Sequence, residues 1–132
     1  MKITNGAILE VIAAIQKFAN TDGKLGYVMA RALRILTAEI KDYDEKRIAL
    51  IQKYGEKSED NGNYVIDPES DKYNEFLDEL IPILNYAIDV NVPQVEEEEF
   101  DLPYSPDATV ADYNLIEQVF VKRKDRNETV SE

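Results

Sequence analysis

The sequence predicts a mainly α-helical fold: an antiparallel helical hairpin with short flanking helices and room for a minor two-stranded β element. Three observations predict it. Apolar residues recur at spacings of three and four through most of the first 87 positions, as an amphipathic helix requires. Two of these stretches are joined by a polar segment holding Asn61-Gly62, a tight-turn signal, so they should fold back on each other. Strict alternation is confined to short runs, Lys2-Ile3-Thr4 and Ile88 to Val92.

Taken in order, Lys2-Ile3-Thr4 suits a small edge strand. Asn5 is placed to cap a helix with the face Ile8, Ile12, Ile15 and Phe18, ending near Ala19. Asn20-Thr21-Asp22-Gly23 reads as a turn, with Gly23 free to take positive φ. A long helix is expected from about Lys24 to Lys57. Its stripe runs through Leu25, Val28, Met29, Ala32, Leu33, Leu36, Ile40, Tyr43, Ile48, Ile51 and Tyr54, with a kink expected around Asp42 to Arg47. Gly55 and the segment 58–63 break it, and Tyr64-Val65-Ile66 suits a short strand. Asp67-Pro68 is expected to restart helix, with Asp67 as cap and Pro68 at the first helical position.

That third helix should run to about Ala87 on the face Tyr73, Phe76, Leu77, Leu80, Ile81, Leu84 and Ala87. Pro82 should bend or end it locally. Ile88 to Val92 reads as a strand closed by Pro93, paired with either Lys2-Ile3-Thr4 or Tyr64 to Ile66. Residues 94–107 read as an acidic surface connector kept extended by Pro103 and Pro106. Thr109 to Asp112 resembles a capping box for a last helix carrying Tyr113, Ile116, Val119 and Phe120. That apolar face suits either the core or a docking surface. The reading gives one helical domain over 1–121 and a mobile tail over 122–132.

Composition narrows the chemistry. Of 132 residues, none is Cys or His, so thiolate nucleophiles, disulfides and the commonest general base and metal ligand are excluded. Trp is absent too. No apolar run reaches the roughly 18 residues of a membrane span, and the start Met1 to Gly6 does not read as a signal peptide. No cofactor and no catalytic activity are expected.

The net charge of −12 is unevenly placed. Residues 1–55 carry 9 basic and 6 acidic side chains, residues 56–107 carry 2 and 16, and residues 108–132 carry 4 and 5. An acidic chain is a poor ligand for nucleic-acid phosphates, but its acid-rich middle suits basic protein surface. The densest tract, Glu96, Glu97, Glu98, Glu99 and Asp101, is therefore the candidate partner-binding site. Its ordinary alternative is a solvated surface that keeps the protein soluble.

Other candidate sites are weaker. Asp60-Asn61-Gly62 fails as a calcium loop, because that register puts Pro68 where a bidentate Glu is needed. Glu75, Asp78 and Glu79 share a helical face, as do Glu39 and Asp42, without the Glu-x-x-His element of helical metal sites. Arg31 and Arg34 would be the DNA contacts of a helix-turn-helix, but the turn and second helix are too long for that motif.

Several segments together resemble a family of small proteins encoded by tailed phages and prophages. They are the Lys2-Ile3-Thr4-Asn5 start and a long charged helix ending Ile51-Gln52-Lys53-Tyr54-Gly55-Glu56-Lys57. The polar turn with Asn61-Gly62-Asn63-Tyr64-Val65-Ile66, Phe76-Leu77-Asp78-Glu79-Leu80, the alternating Ile88 to Val92 and a short final helix complete the pattern. The likeness covers roughly residues 1 to 120, and Pro82 and the basic residues after Val121 depart from it. It supplies no functional residues. It implies a phage context, a place among virion-related genes, and location in the host cytoplasm or the virion. The expected role is protein–protein contact as a virion component or assembly accessory, with self-association as one form. The alternative is a DNA-mimic inhibitor of a basic host defence or regulatory protein. Neither reading uses nucleic acid or a membrane as partner.

Overall fold

The computed structural model describes residues 1–122; the expected tail lies almost wholly outside the described residues. Strand β1 (Lys2–Thr4) leads directly into helix α1 (Asn5–Lys17). The cap is Thr4 rather than Asn5: its hydroxyl accepts the Ala7 N–H at 3.1 Å. Asn5 is instead buried and serves the far end of another helix, described below. Gly23 opens α2 (Gly23–Glu39) at φ +70°, as its place in the turn predicts.

The expected long helix is two helices, α2 and α3 (Lys41–Tyr54). The interruption is at Ile40, φ −81° and ψ −6°, ahead of the charged run where the kink was expected. Ile40 is itself buried, so the apolar stripe is continuous through the break. What changes there is the packing partner: α2 lies on α1, whereas α3 lies on α4 (Asp71–Leu84). Periodicity along one helix does not reveal such a change of partner.

The α3–α4 pair is the predicted hairpin, and between them a second small structure replaces the predicted helix end. Glu56–Lys57 forms β2 and pairs antiparallel with β3 (Tyr64–Val65), Glu56 opposite Val65. Gly62, at φ +73°, makes the turn. The Cβ that any residue but glycine would carry at position 55 would lie 2.5 Å from the Ile51 carbonyl and 2.8 Å from that of Val65. Gly55 is therefore required by close approach of backbones. Asp67-Pro68 does not start α4; the Asp67 carboxylate accepts the Glu69 N–H within a turn, and the helix begins at Asp71 after Ser70. Pro82 is tolerated because it lies exposed near the C-terminus, and the helix ends two residues later.

Strand β4 (Ala87–Asp89) pairs antiparallel with β1, with Ile3 opposite Ile88, which settles the choice between the two predicted partners. The amino terminus extends the ladder by donating to the Val90 carbonyl at 3.0 Å. Helix α5 (Val110–Phe120) carries the Thr109/Asp112 capping box and packs on α1. Ile116, Val119 and Phe120 are core residues, so the apolar face of α5 is not a free docking surface.

The segment 94–107 is not solvated throughout. Val95 is 1 % exposed and forms a parallel bridge with Val121, while Phe100 and Leu102 pack against the core. The Tyr113 hydroxyl accepts the Ser105 N–H at 2.8 Å, and the Tyr113 ring meets Phe18 edge-on. Three spaced apolar residues, together with these bonds, hold the connector against the fold; a dense acid run in sequence hides them.

Candidate interaction surface

The acidic tract is more ordered than a solvated strap. Glu97–Glu99 form one turn of 3₁₀ helix, closed by a reciprocal cap in which the Glu99 carboxylate accepts the Glu96 N–H at 3.0 Å. The Lys24 ammonium at the start of α2 lies 2.7 Å from the same carboxylate. Lys24, and then the Glu96 N–H, hold the Glu99 carboxyl below the usual range. The Glu96 carboxylate is 3.8 Å from the Lys122 ammonium. The structure thus divides the five candidate residues. Glu96 and Glu99 are engaged within the chain, whereas Glu97, Glu98 and Asp101 are exposed and join no ion pair among the described residues.

A second polar cluster lies across the hairpin. The Tyr54 hydroxyl donates to Glu79, and the Lys53 ammonium lies 3.2 Å from that carboxylate. Tyr54, then Lys53, lower the Glu79 carboxyl, and Glu79 in turn raises both partners. These contacts run from α3 to α4, so the trio staples the two helices together. Lys17 and Asp112, 2.8 Å apart, join α1 to α5 in the same way. Among the described residues no three carboxylates gather as a metal site, so the faces of Glu75, Asp78 and Glu79 and of Glu39 and Asp42 do not converge. Among the same residues no helix is long and apolar enough to cross a membrane.

Two open grooves carry apolar lining. One, of about 650 Å³, lies beside the β2–β3 hairpin between Tyr54, Val65, Ile66 and Pro68. The other, of about 500 Å³, is lined by Tyr43, Pro82, Ile83, Tyr86 and Ile88, with Asn5 at its floor and Glu39, Asp42 and Lys46 at its rim. Tyr86 is 64 % exposed beside this second groove.

The outer face of α2 was read in the sequence only for Arg31 and Arg34. In the structure, Lys24, Tyr27, Arg31, Arg34 and Ala38 are all exposed and follow one another at spacings of three and four. They form one row with three bases and no acid. The signal was in the sequence as a second, basic period on the side opposite the apolar one. Comparison with protein-family models, with curated proteins and with solved structures found no match for this chain.

Proposed function

We propose that this chain acts without catalysis, by protein–protein contact, as a virion component or assembly accessory of a tailed phage, in the virion or the host cytoplasm. The phage context rests on the resemblance carried by the Lys53-Tyr54-Gly55 junction and the polar turn after it. The structural observation that supports contact is the groove edged by Tyr86. A tyrosine ring left in water next to Pro82, Ile83 and Ile88 has the composition of an interface centre, where aromatic residues are enriched. The test is mass spectrometry of proteins that co-purify with the tagged chain from phage-infected cells, at low and high salt. Portal, capsid or tail proteins retained at both salts, and lost with Tyr86→Ala, support the reading. Absence of the chain from purified particles, together with no captured phage protein, overturns it.

A second reading is an acidic inhibitor of a basic host protein. The outward carboxylates of Glu97, Glu98 and Asp101 favour it. It predicts capture of a host nuclease or regulator that is lost at high salt and weakened by Glu97→Gln, Glu98→Gln and Asp101→Asn together. Indifference to that triple change removes this reading.

A further inference from the structure

We infer that the basic row on the outer face of α2 docks the acidic row on the outer face of α4 of a second copy of this chain. This deepens the contact reading above by naming one partner, and its charged pairs lie outside the Tyr86 groove, which it meets only at Pro82.

Helix α4 presents Asp71, Glu75, Asp78 and Pro82 at spacings of four and three, all exposed. The row carries three acids and no base; Lys72, the one base of α4, lies on a neighbouring row. The α2 row is its opposite in sign, and Glu39, the one acid of α2, lies off it. Ion pairs among the described residues use Lys17, Lys24, Arg47, Lys53 and Lys122, and none uses Arg31, Arg34, Asp71, Glu75 or Asp78. Lys24, at one end of the α2 row, is held by Glu99, whereas Arg31 and Arg34 on that row and the three acids of the α4 row face outward with charges uncompensated by described neighbours.

The spacings match as well as the signs. Arg31 and Arg34 are three residues apart, as are Glu75 and Asp78, so each pair is separated by about 4.5 Å of helical rise. Laid antiparallel, Arg31 meets Asp78 and Arg34 meets Glu75. The same register sets Tyr27, 62 % exposed, against Pro82, with the half-exposed Ile81 beside it. Ala38 then faces Asp71, and this small side chain allows the helices to approach. Two charged pairs thus adjoin an aromatic–proline contact, an arrangement that fixes register as well as supplying attraction. The contact joins two different surfaces, so it closes as a two-fold dimer where both rows engage reciprocally and otherwise adds copies in the same sense until a ring closes. A basic helix row is also the footprint of a phosphate binder, but a chain of net charge −12 is repelled by a polyanion at long range, whereas another copy brings its acids as a local row. Copies of like net charge repel too, and a Debye length of about 10 Å at 0.1 M ionic strength screens that repulsion while leaving contact pairs intact.

The test is sedimentation velocity of the full chain near that ionic strength. Wild type, Arg31→Glu with Arg34→Glu, Glu75→Arg with Asp78→Arg, and an equimolar mixture of the two variants are compared. All four positions are exposed, and far-UV circular dichroism checks that both variants fold. Wild type is expected to sediment heavier than its 15.1 kDa monomer. Each variant alone should associate at least about tenfold more weakly. The mixture should regain association, because the new acid row of one meets the new basic row of the other. A monomeric wild type, a variant that associates as wild type does, or a mixture that stays monomeric overturns the inference. So does a monomeric wild type that shifts with added duplex DNA or RNA, which would assign the row to phosphates. A monomeric chain that still captures virion proteins defeats this inference alone and leaves the function proposed above standing.

Discussion

Replacing Asn5 tests the tertiary logic most sharply, because that residue holds two parts of the fold distant in sequence. Its side-chain amide donates to the Ile83 carbonyl at 2.9 Å, and its backbone N–H donates to that of Tyr86 at 3.1 Å. Asn5 thereby serves one carbonyl that the end of α4 leaves without a helical partner, Ile83, and one just ahead of β4, Tyr86. Asn5→Ala removes one buried hydrogen bond. The Ile83 carbonyl keeps the Tyr86 N–H at 3.2 Å, so the loss is an ordinary net bond of about 1 kcal/mol rather than a full desolvation penalty. For 132 residues unfolding with about 2.1 cal/mol/K per residue, that is a fall in Tm of about 4 °C. Asn5→Asp is worse at neutral pH, because a carboxylate is buried against carbonyl oxygens. Burial raises its folded pKa above the unfolded value of about 3.9, so the folded state binds more protons and stability falls as pH rises from there, by about 1.4 kcal/mol per unit until the folded pKa is passed. Thermal unfolding followed by far-UV circular dichroism at several pH values measures both effects. If the Asp variant melts with wild type at neutral pH, or shows no recovery in acid, the amide–carbonyl contact does not hold β1 and α1 to α4.

Three further outcomes are expected. Phe120→Ala empties a fully buried site and should cost about 3–5 kcal/mol, whereas Val110→Ala on the same helix, at a largely exposed position, should stay within about 0.5 kcal/mol by urea unfolding. Gly55→Ala puts a Cβ against two backbone carbonyls and should cost about 1–3 kcal/mol, with local loss of amide protection in the β2–β3 hairpin, since neither carbonyl is a side-chain end that can swing away. Lys17, and then the Thr109 N–H, hold the Asp112 carboxyl below its usual range. Its stabilisation is therefore present above the unfolded pKa of about 3.9 and is lost as pH falls through the lower folded value. Asp112→Asn should flatten the acid limb of the Tm–pH curve in part only, because Glu79 and Glu99 are shifted in the same direction. An acid limb unchanged by that substitution would refute the assignment.

The sequence by itself determined what depends on nearest neighbours along the chain. Helical spacing located α1, α4, α5 and the stretch that forms α2 and α3, the Thr109/Asp112 box marked the start of α5, and Asn61-Gly62 marked the turn between hairpin arms, because period, capping and positive φ are local properties. Alternation also found β1 and part of β4, although β4 was left with two possible partners. Only the tertiary structure decided the rest. The break at Ile40 follows from α2 and α3 packing on different helices, which a stripe continuous across it does not record. Asn5 looks like a cap in sequence and is a clamp in space, because its partner carbonyl lies 78 positions away. Val95, Phe100 and Leu102 make part of the acidic tract interior, since their apolar contacts, together with the bonds of Val95 to Phe120 and Lys122 and of Ser105 to Tyr113, hold a backbone that its charges alone would leave in water. Glu96 and Glu99 found partners in Lys122 and Lys24 for the same reason, so that of the five carboxylates in the candidate site only Glu97, Glu98 and Asp101 remain turned outward and unpaired among the described residues.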